Sequence, residues 1–213
     1  MSDFKLPRIY PVTDVSLSGL AHAEQVALLC EGGAGLVQLR EKRLPPREFY
    51  RQAEEAVRAA HARGARVIVN DRADIALAAG ADGVHLGQDD LTPEAARRLL
   101  GRAAIIGYST HNVEQVRAAA AMPVDYVAIG PVFDTASKER PDPVVGLDGV
   151  RGARAAVGPA VPLVAIGGIT RHNARAVIDA GADCVAVIGA LLSPSSPSEI
   201  VRRTRELLAL LRD

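Results

Sequence analysis

A closed α/β barrel of eight parallel strands, folded as one compact domain over residues 1–213, is the fold class that the sequence predicts. Three observations predict it. Short runs rich in Val and Ile alternate with Ala/Arg/Glu-rich segments of helical period almost from end to end. The alternation yields eight strand-helix units, the number that closes a TIM barrel, in a chain of 213 residues. The phrase Ala-Gly-Ala-Asp recurs at 79–82 and 180–183, with Glu31-Gly32-Gly33-Ala34-Gly35 as a looser version, each between a helix and the next strand. Glycine at a helix C-terminus supplies the left-handed residue that turns the chain back, so these are corners rather than chemistry. A doubly wound open sheet is the alternative, weakened because no GxGxxG follows the first strand.

The first unit pairs a strand over Ile9–Val12 with a helix over Ala21–Cys30, and the second pairs Leu36–Leu39 with Arg47–Arg63. Strand Val67–Asn70 leads into helix Ala73–Ala79, and strand Gly83–Leu86 into helix Pro93–Leu100, where Pro93 suits the first helical turn. The fifth unit is Ile105–Gly107 with Val113–Ala120. The sixth, Tyr126–Ile129 with Gly149–Ala156, contains the long polar connection Gly130–Gly146 with Pro131, Pro141 and Pro143. Unstructured loops longer than about 12 residues are functional lids or disordered segments, and Thr135, Ser137 and Lys138 favour a lid carrying anion ligands. Strand Leu163–Ile166 precedes helix Asn173–Ala180, with Asn173 where an N-terminal Asn fits. Strand Cys184–Ile188 and helix Ser198–Leu210 complete the series, joined by a Ser/Pro connector over 193–198.

Composition narrows the function classes. With 48% hydrophobic residues the chain can bury one substantial core. Its 25 basic and 25 acidic residues cancel, so no global field favours nucleic acid or an anionic membrane, and any anion must be gripped locally. No apolar run approaches the roughly 18 residues of a membrane span, and MSDFKLPRIY has no signal-peptide core, which predicts a cytoplasmic protein. Cys30 and Cys184 make neither a CxxC nor a zinc spacing and read as free core thiols. Only Lys5, Lys42 and Lys138 are lysines among the 25 basic residues, a bias that reserves the compact ammonium for few places.

The working face of such a barrel lies at the C-terminal ends of its strands. The third and fourth strands end in Asn70-Asp71 and, after Gly87, in Gln88-Asp89-Asp90. Adjacent strands sit about 5 Å apart, so Asp71 can approach Asp89 or Asp90 closely enough to repel unless a cation lies between them. Carboxylate oxygens from two strands suit Mg²⁺ that also holds a substrate phosphate. After the second strand, alternation sends Gln38 and Arg40 to one side and Leu39 to the other. Gln38 suits a heteroaromatic edge, while Arg40 and Lys42 suit a phosphate. Gly167-Gly168 ends the seventh strand in a turn whose amides can approach an anion, with Ile188-Gly189 completing the cradle. His85 reads as a hydrogen-bonded core residue. His111 reads as a substrate contact or, with Ser109 and Thr110, a cap on the next helix. His22, His61 and His172 read as surface or helix-end residues, and no Ser-His-Asp arrangement can be assigned from spacing.

Taken in order, YPVTD (10–14), QLREK (38–42), VNDRADIALAAGADGVHLGQDD (69–90), GYSTH (107–111), DYVAIGPVFDTASK (125–138) and VAIGGIT (164–170) resemble the thiamine-phosphate synthase family over nearly the whole chain. The resemblance implies a TIM barrel that joins a pyrimidine diphosphate to a thiazole phosphate and releases pyrophosphate with Mg²⁺. It implies that Gln38, Arg40, Lys42, Asn70 and Lys138 bind the pyrimidine diphosphate, that Ser109 touches its diphosphate or its ring, and that Asp71 and Asp90 hold Mg²⁺ with Asp89 as a neighbour. Thr135, Ser137, Gly168 and the Ile188-Gly189 turn would contact the thiazole phosphate. Arg40, Lys42 and Lys138 would act electrostatically, with no protein nucleophile. Gly189 departs from the family, whose members commonly carry Ser there, and Ser137 replaces the usual Thr with its hydroxyl kept. Partners would be small phosphorylated substrates; a homo-oligomer stays open. A thiazole tautomerase on the same barrel, using His111 as acid and base, is the rival enzyme, and a non-enzymatic ligand-binding regulator is the other alternative.

Overall fold

Eight short β-branched runs become eight parallel strands in the computed structural model, which describes residues 5–135, 142–193 and 196–212. They are β1 (Ile9–Pro11), β2 (Leu36–Leu39), β3 (Arg66–Asn70), β4 (Gly83–Leu86), β5 (Ile105–Thr110), β6 (Tyr126–Ile129), β7 (Leu163–Ile166) and β8 (Cys184–Val187). Hydrogen bonds join them in the order β1-β8-β7-β6-β5-β4-β3-β2. The remaining seam closes through a parallel bridge between Val12 and Gln38, where Thr13 N–H also donates to Gln38 O at 2.8 Å. Parallel neighbours need crossovers. These contain α1 (Val15–Ser18), α2 (His22–Glu31), α3 (Pro46–His61), α4 (Ala73–Ala78), α5 (Pro93–Leu100), α6 (Val113–Ala119), α7 (Gly146–Val157) and α8 (Ala174–Asp179), and the chain ends through α9 (Gly189–Leu192) and α10 (Pro197–Leu211). The TIM-barrel expectation holds.

Strand alternation divides the core into two shells. Tyr10, Val12, Leu36, Ile68, Ile105, Tyr126, Ala128, Val164, Cys184 and Ala186 fill the barrel. Their neighbours, such as Val37, Val67, Val84, Ile106 and Val127, pack outward with the helices. The interior is fitted around Gly107, where a Cβ would stand 2.0 Å from the Cζ of Tyr126. The glycine in β5 thereby makes room for one of the two tyrosine rings in the barrel.

Element boundaries shift where local chemistry outweighs pattern. β5 runs on through Thr110 instead of stopping at Gly107, so Ser109 lies on a strand and Thr110 is buried with its hydroxyl on Ala128 O at 2.7 Å, away from the mouth. α1 was not expected; Asp14 caps it by accepting from Leu17 N–H, and four residues are too few to show a helical period. The same holds for α9. α10 begins at Pro197 behind a Ser196/Glu199 capping box. Asn173 makes no capping bond into α8 but staples the preceding turn, donating to Gly168 O at 3.1 Å and accepting from Thr170 N–H at 2.7 Å. Cys30 and Cys184 are free thiols, as expected, Cys184 in the barrel interior.

Candidate functional site

The ends of β2 to β5 open onto one mouth. Asn70, the last residue of β3, is 8% exposed, and its amide makes no side-chain hydrogen bond among the described residues. The little exposure that Asn70 keeps includes its amide, whose atoms are not fully buried, so its donor and acceptor stay open to whatever enters the mouth. Asp71 follows with φ 63°, the sole non-glycine at positive φ among the described residues. That conformation opposes a Cβ by about 1–2 kcal/mol and concentrates at functional sites. Its N–H extends the ladder to His85 O at 2.8 Å, and its carboxylate meets the ammonium of Lys42.

Asp90 completes the pair. Its Oδ2 accepts from Gly87 N–H at 2.7 Å and its carboxyl lies beside that of Asp71. Burial first, and the Asp71 charge next among the upward influences, lift the Asp90 carboxyl above the usual range, against the pull of Gly87 N–H and Lys42. Asp89 is exposed, consistent with a neighbouring role. Among the described residues no group of three or more His, Cys, Asp or Glu gathers as a metal cage. Two adjacent carboxylates still fit Mg²⁺, which binds through one or two carboxylates and fills its shell with water and substrate phosphate.

The loop after β2 is held from beneath. Arg40 N–H donates to Thr13 Oγ1 at 3.3 Å and its guanidinium reaches Asp14 at 3.4 Å. Thr13 also bonds His22 Nδ1 at 2.7 Å, and Glu41 accepts from Arg43 and Leu44 N–H and approaches His22 Nε2 at 3.4 Å. His22 was expected at the surface or a helix end; it begins α2 fully buried, with its ring against Phe49. Gln25, one turn on, accepts from Asp14 N–H. An amphipathic pattern shows polar residues at His22 and Gln25, but not that two loops reach in to satisfy them.

Ser109 Oγ lies 2.8 Å from His85 Nε2. The imidazole continues through Nδ1 to Tyr126 Oη at 2.9 Å, Tyr126 to Tyr10 Oη at 3.0 Å, and Gln38 Nε2 donates to Tyr10 Oη at 3.1 Å. His85 is thus the hydrogen-bonded core residue expected, and burial drives its pKa down to about 4, leaving the ring neutral near pH 7. The two tyrosines of this row, Tyr126 bonded to His85 and Tyr10 beyond it, carried no polar reading in the sequence.

On the opposite side of the mouth, the connection after β6 lies across the β7–α8 turn. A Cβ at Gly167 (φ 104°) would stand 2.5 Å from Pro131 Cα, and one at Gly168 (φ 62°) 2.4 Å from Asp134 O. Close packing therefore explains the glycine pair, and it sets Gly168 against the residue before Thr135. Ile188 precedes α9, and a Cβ on Gly189 would meet nothing within 4 Å. Ser137 and Lys138 lie outside the described residues. His111 does not cap α6: Asn112 does, accepting from Gln115 N–H at 2.9 Å. The His111 ring bonds Gly130 O through Nδ1 at 2.7 Å.

Polar and charged side chains ringing the C-terminal ends of eight parallel strands make this a TIM-barrel protein with its mouth where enzymes of that fold carry their active sites. A family model described as thiamine monophosphate synthase matches residues 9–191. The chain is 50% identical over 198 residues to a thiamine-phosphate synthase of Koribacter versatilis, covering 90% of this chain and 92% of the relative. It is 44% identical to one of Methanoregula boonei, covering 96% and 94%. Among solved structures, the thiamine phosphate pyrophosphorylase of Pyrococcus furiosus is similar with a TM-score of 0.83 and 35% identity, covering 95% of this chain and 94% of that one. The chain belongs to the thiamine monophosphate synthase family.

Proposed function

We propose that this protein is a thiamine-phosphate synthase, a transferase that joins 4-amino-2-methyl-5-hydroxymethylpyrimidine diphosphate to 4-methyl-5-(2-phosphoethyl)thiazole or its carboxylated form to give thiamine phosphate, releasing pyrophosphate and, from the carboxylated form, CO2 as well. The observation that carries the site assignment is the Asp71–Asp90 carboxylate pair beside Lys42, with the open amide of Asn70 at the same strand ends. Family membership supports the reaction.

Asp71 and Asp90 would hold Mg²⁺, which when bound supplies positive charge to the diphosphate. Lys42, pairing Asp71, and Arg40, pairing Asp14, stand ready to turn to the incoming phosphates, and Lys138 would join them. Together they stabilise charge on departing pyrophosphate while the electron-rich aminopyrimidine carries the carbocation. Gln38, Asn70 and Ser109 orient the pyrimidine diphosphate, and Thr135, Ser137, Gly168, Ile188 and Gly189 hold the thiazole phosphate so that its ring nitrogen faces the carbon being released. No side chain needs to form a bond to either substrate. The phosphorylated substrates do not cross membranes unaided, which supports a cytoplasmic setting for the activity.

Pyrophosphate release measured with both substrates, with and without Mg²⁺, tests the assignment. Metal-dependent release in the native protein and at least 100-fold less in Asp71→Ala is expected, from loss of a charge-stabilising metal site. Release that needs no metal, or an unimpaired variant, would sink it.

A further inference from the structure

Beneath the mouth, Gln38 and Ser109 are joined by three buried side chains that touch no proposed ligand. Gln38 Nε2 lies 3.1 Å from Tyr10 Oη, Tyr10 Oη 3.0 Å from Tyr126 Oη, Tyr126 Oη 2.9 Å from His85 Nδ1, and His85 Nε2 2.8 Å from Ser109 Oγ. Packing holds each ring in place. Tyr10 and Tyr126 meet edge to face with centroids 5.9 Å apart, and His85 stacks on Tyr126 at 5.5 Å. Tyr126 itself occupies the space that Gly107 leaves.

Hydroxyl hydrogens turn to suit their surroundings, so the chain's direction follows from counting donors. A phenol has one hydrogen to give, and a neutral imidazole has one N–H and one lone pair. Tyr126 O–H donates to Tyr10 Oη, and Gln38 Nε2 donates to the same oxygen. With the Tyr126 hydrogen spent there, His85 Nδ1–H donates to Tyr126 Oη, and the lone pair left at Nε2 accepts from Ser109 O–H. Each link thus has one donor, and loss of the Tyr126 hydroxyl breaks the row in its middle.

We propose that Tyr10, Tyr126 and His85 are positioning residues that tie Gln38 and Ser109 into one hydrogen-bonded row and so fix the orientation in which both meet the pyrimidine diphosphate. This rests on the assignment of Gln38 and Ser109 to that substrate. An aminopyrimidine diphosphate offers amino hydrogens as donors and ring-nitrogen and phosphate-oxygen lone pairs as acceptors, so an amide and a hydroxyl held in fixed positions can both engage it. A hydrogen-bonded row of this kind also strengthens each member.

The test is a steady-state comparison of Tyr126→Phe, Ser109→Ala and their double variant, with each substrate varied in turn. Tyr126→Phe keeps the ring and removes the hydroxyl that joins the halves. It should lower kcat/KM for the pyrimidine diphosphate about 10-fold or more, the range seen when groups supporting a ligand are removed. KM for the thiazole phosphate should stay the same, and the loss should shrink in the Ser109→Ala background, where only the Gln38 end is left to lose. His85→Gln, whose amide can still accept from Ser109, should retain more activity than His85→Leu, which settles the matter if Tyr126→Phe folds poorly. An unchanged kcat/KM in Tyr126→Phe, an undiminished effect in the Ser109→Ala background, or equal losses in the two His85 variants would overturn the inference. If Gln38→Ala and Ser109→Ala leave catalysis intact, the substrate assignment falls first and the inference with it.

Discussion

At the N-terminal end of the barrel, Asp82, Asp125 and Asp183 each stand immediately before an even-numbered strand; at the C-terminal end, Asp71 follows β3 and Asp90 lies beyond β4. The three lower carboxylates are saturated in the same way. Asp82 Oδ2 accepts from Val67 N–H at 2.8 Å and meets His61 at 2.9 Å. Asp125 Oδ2 accepts from Ile106 N–H at 2.8 Å and meets Arg97 at 2.7 Å. Asp183 Oδ2 accepts from Leu163 N–H at 2.7 Å and pairs with Arg154, which also donates to Gly181, Gly158 and Val161 carbonyls. Each carboxylate staples its strand to the one before. The upper pair divides those partners and staples no strand: Asp71, on left-handed backbone, meets only Lys42, Asp90 accepts only from the nearby Gly87 N–H and is raised by burial, and the neighbouring Asn70 amide has no side-chain partner among the described residues. One end spends its acidic groups on closing the sheet, and the other sets two carboxylates side by side at the mouth, where an added cation can join them.

Substitutions should separate the two ends. The largest effect expected is at Asp71→Gly, which removes a carboxylate and relieves the φ 63° backbone. Pyrophosphate release should fall at least 100-fold while urea unfolding shows a protein as stable or more stable, by up to about 1 kcal/mol. A variant that loses stability as well would erase the contrast. Arg154→Ala should do the reverse, since it strips a charged partner from Asp183 and leaves three carbonyls short of a donor. A loss of about 2–4 kcal/mol in urea unfolding is expected, with kcat per folded molecule unchanged.

A pH series sharpens the role of the layer between the two ends. Burial holds both His22 and His85 below their ordinary 6.5, His85 to about 4, so the unfolded chain takes up their protons first as pH falls. Stability is therefore full above pH 6.5 and declines below it, by up to about 1.4 kcal/mol per pH unit for each ring, with the His85 share spent near pH 4. Urea midpoints measured from pH 7 to 5 should show this slope, and His85→Gln should reduce it. The smallest effect concerns Gly189. A Cβ there meets nothing, so Gly189→Ser should leave the unfolding midpoint within about 0.5 kcal/mol and lower KM for the thiazole phosphate a few-fold. A raised KM would remove Gly189 from that pocket.

Much of the fold and the outline of the mouth were legible in the chain. Eight β-branched runs, three glycine corners and the strand-end clusters specify a barrel because side-chain period and turn chemistry are local properties, readable within about ten residues. The approach of Asp71 to Asp89 or Asp90 was legible for the same reason, since a short crossover puts adjacent parallel strands in register, and the structure sets Asp90 beside Asp71. The extension of β5 to Thr110 was not, since polar Ser109 and Thr110 look like loop until a neighbouring strand supplies partners. The Asp82, Asp125 and Asp183 staples were read as plain corners, or not at all for Asp125, because their partners lie 15 to 29 residues away.

By itself, then, the sequence determined the architecture, the edge that carries the chemistry and the residue types gathered there, since each follows from short-range pattern. Tertiary structure alone decided which polar groups are satisfied and which are left open: that His22 is buried, that Asn70 keeps a spare amide, and that Gln38 and Ser109 are tied through Tyr10, Tyr126 and His85. Hydrogen bonds and burial depend on which strands face one another across the barrel, and that pairing arises only when the sheet closes.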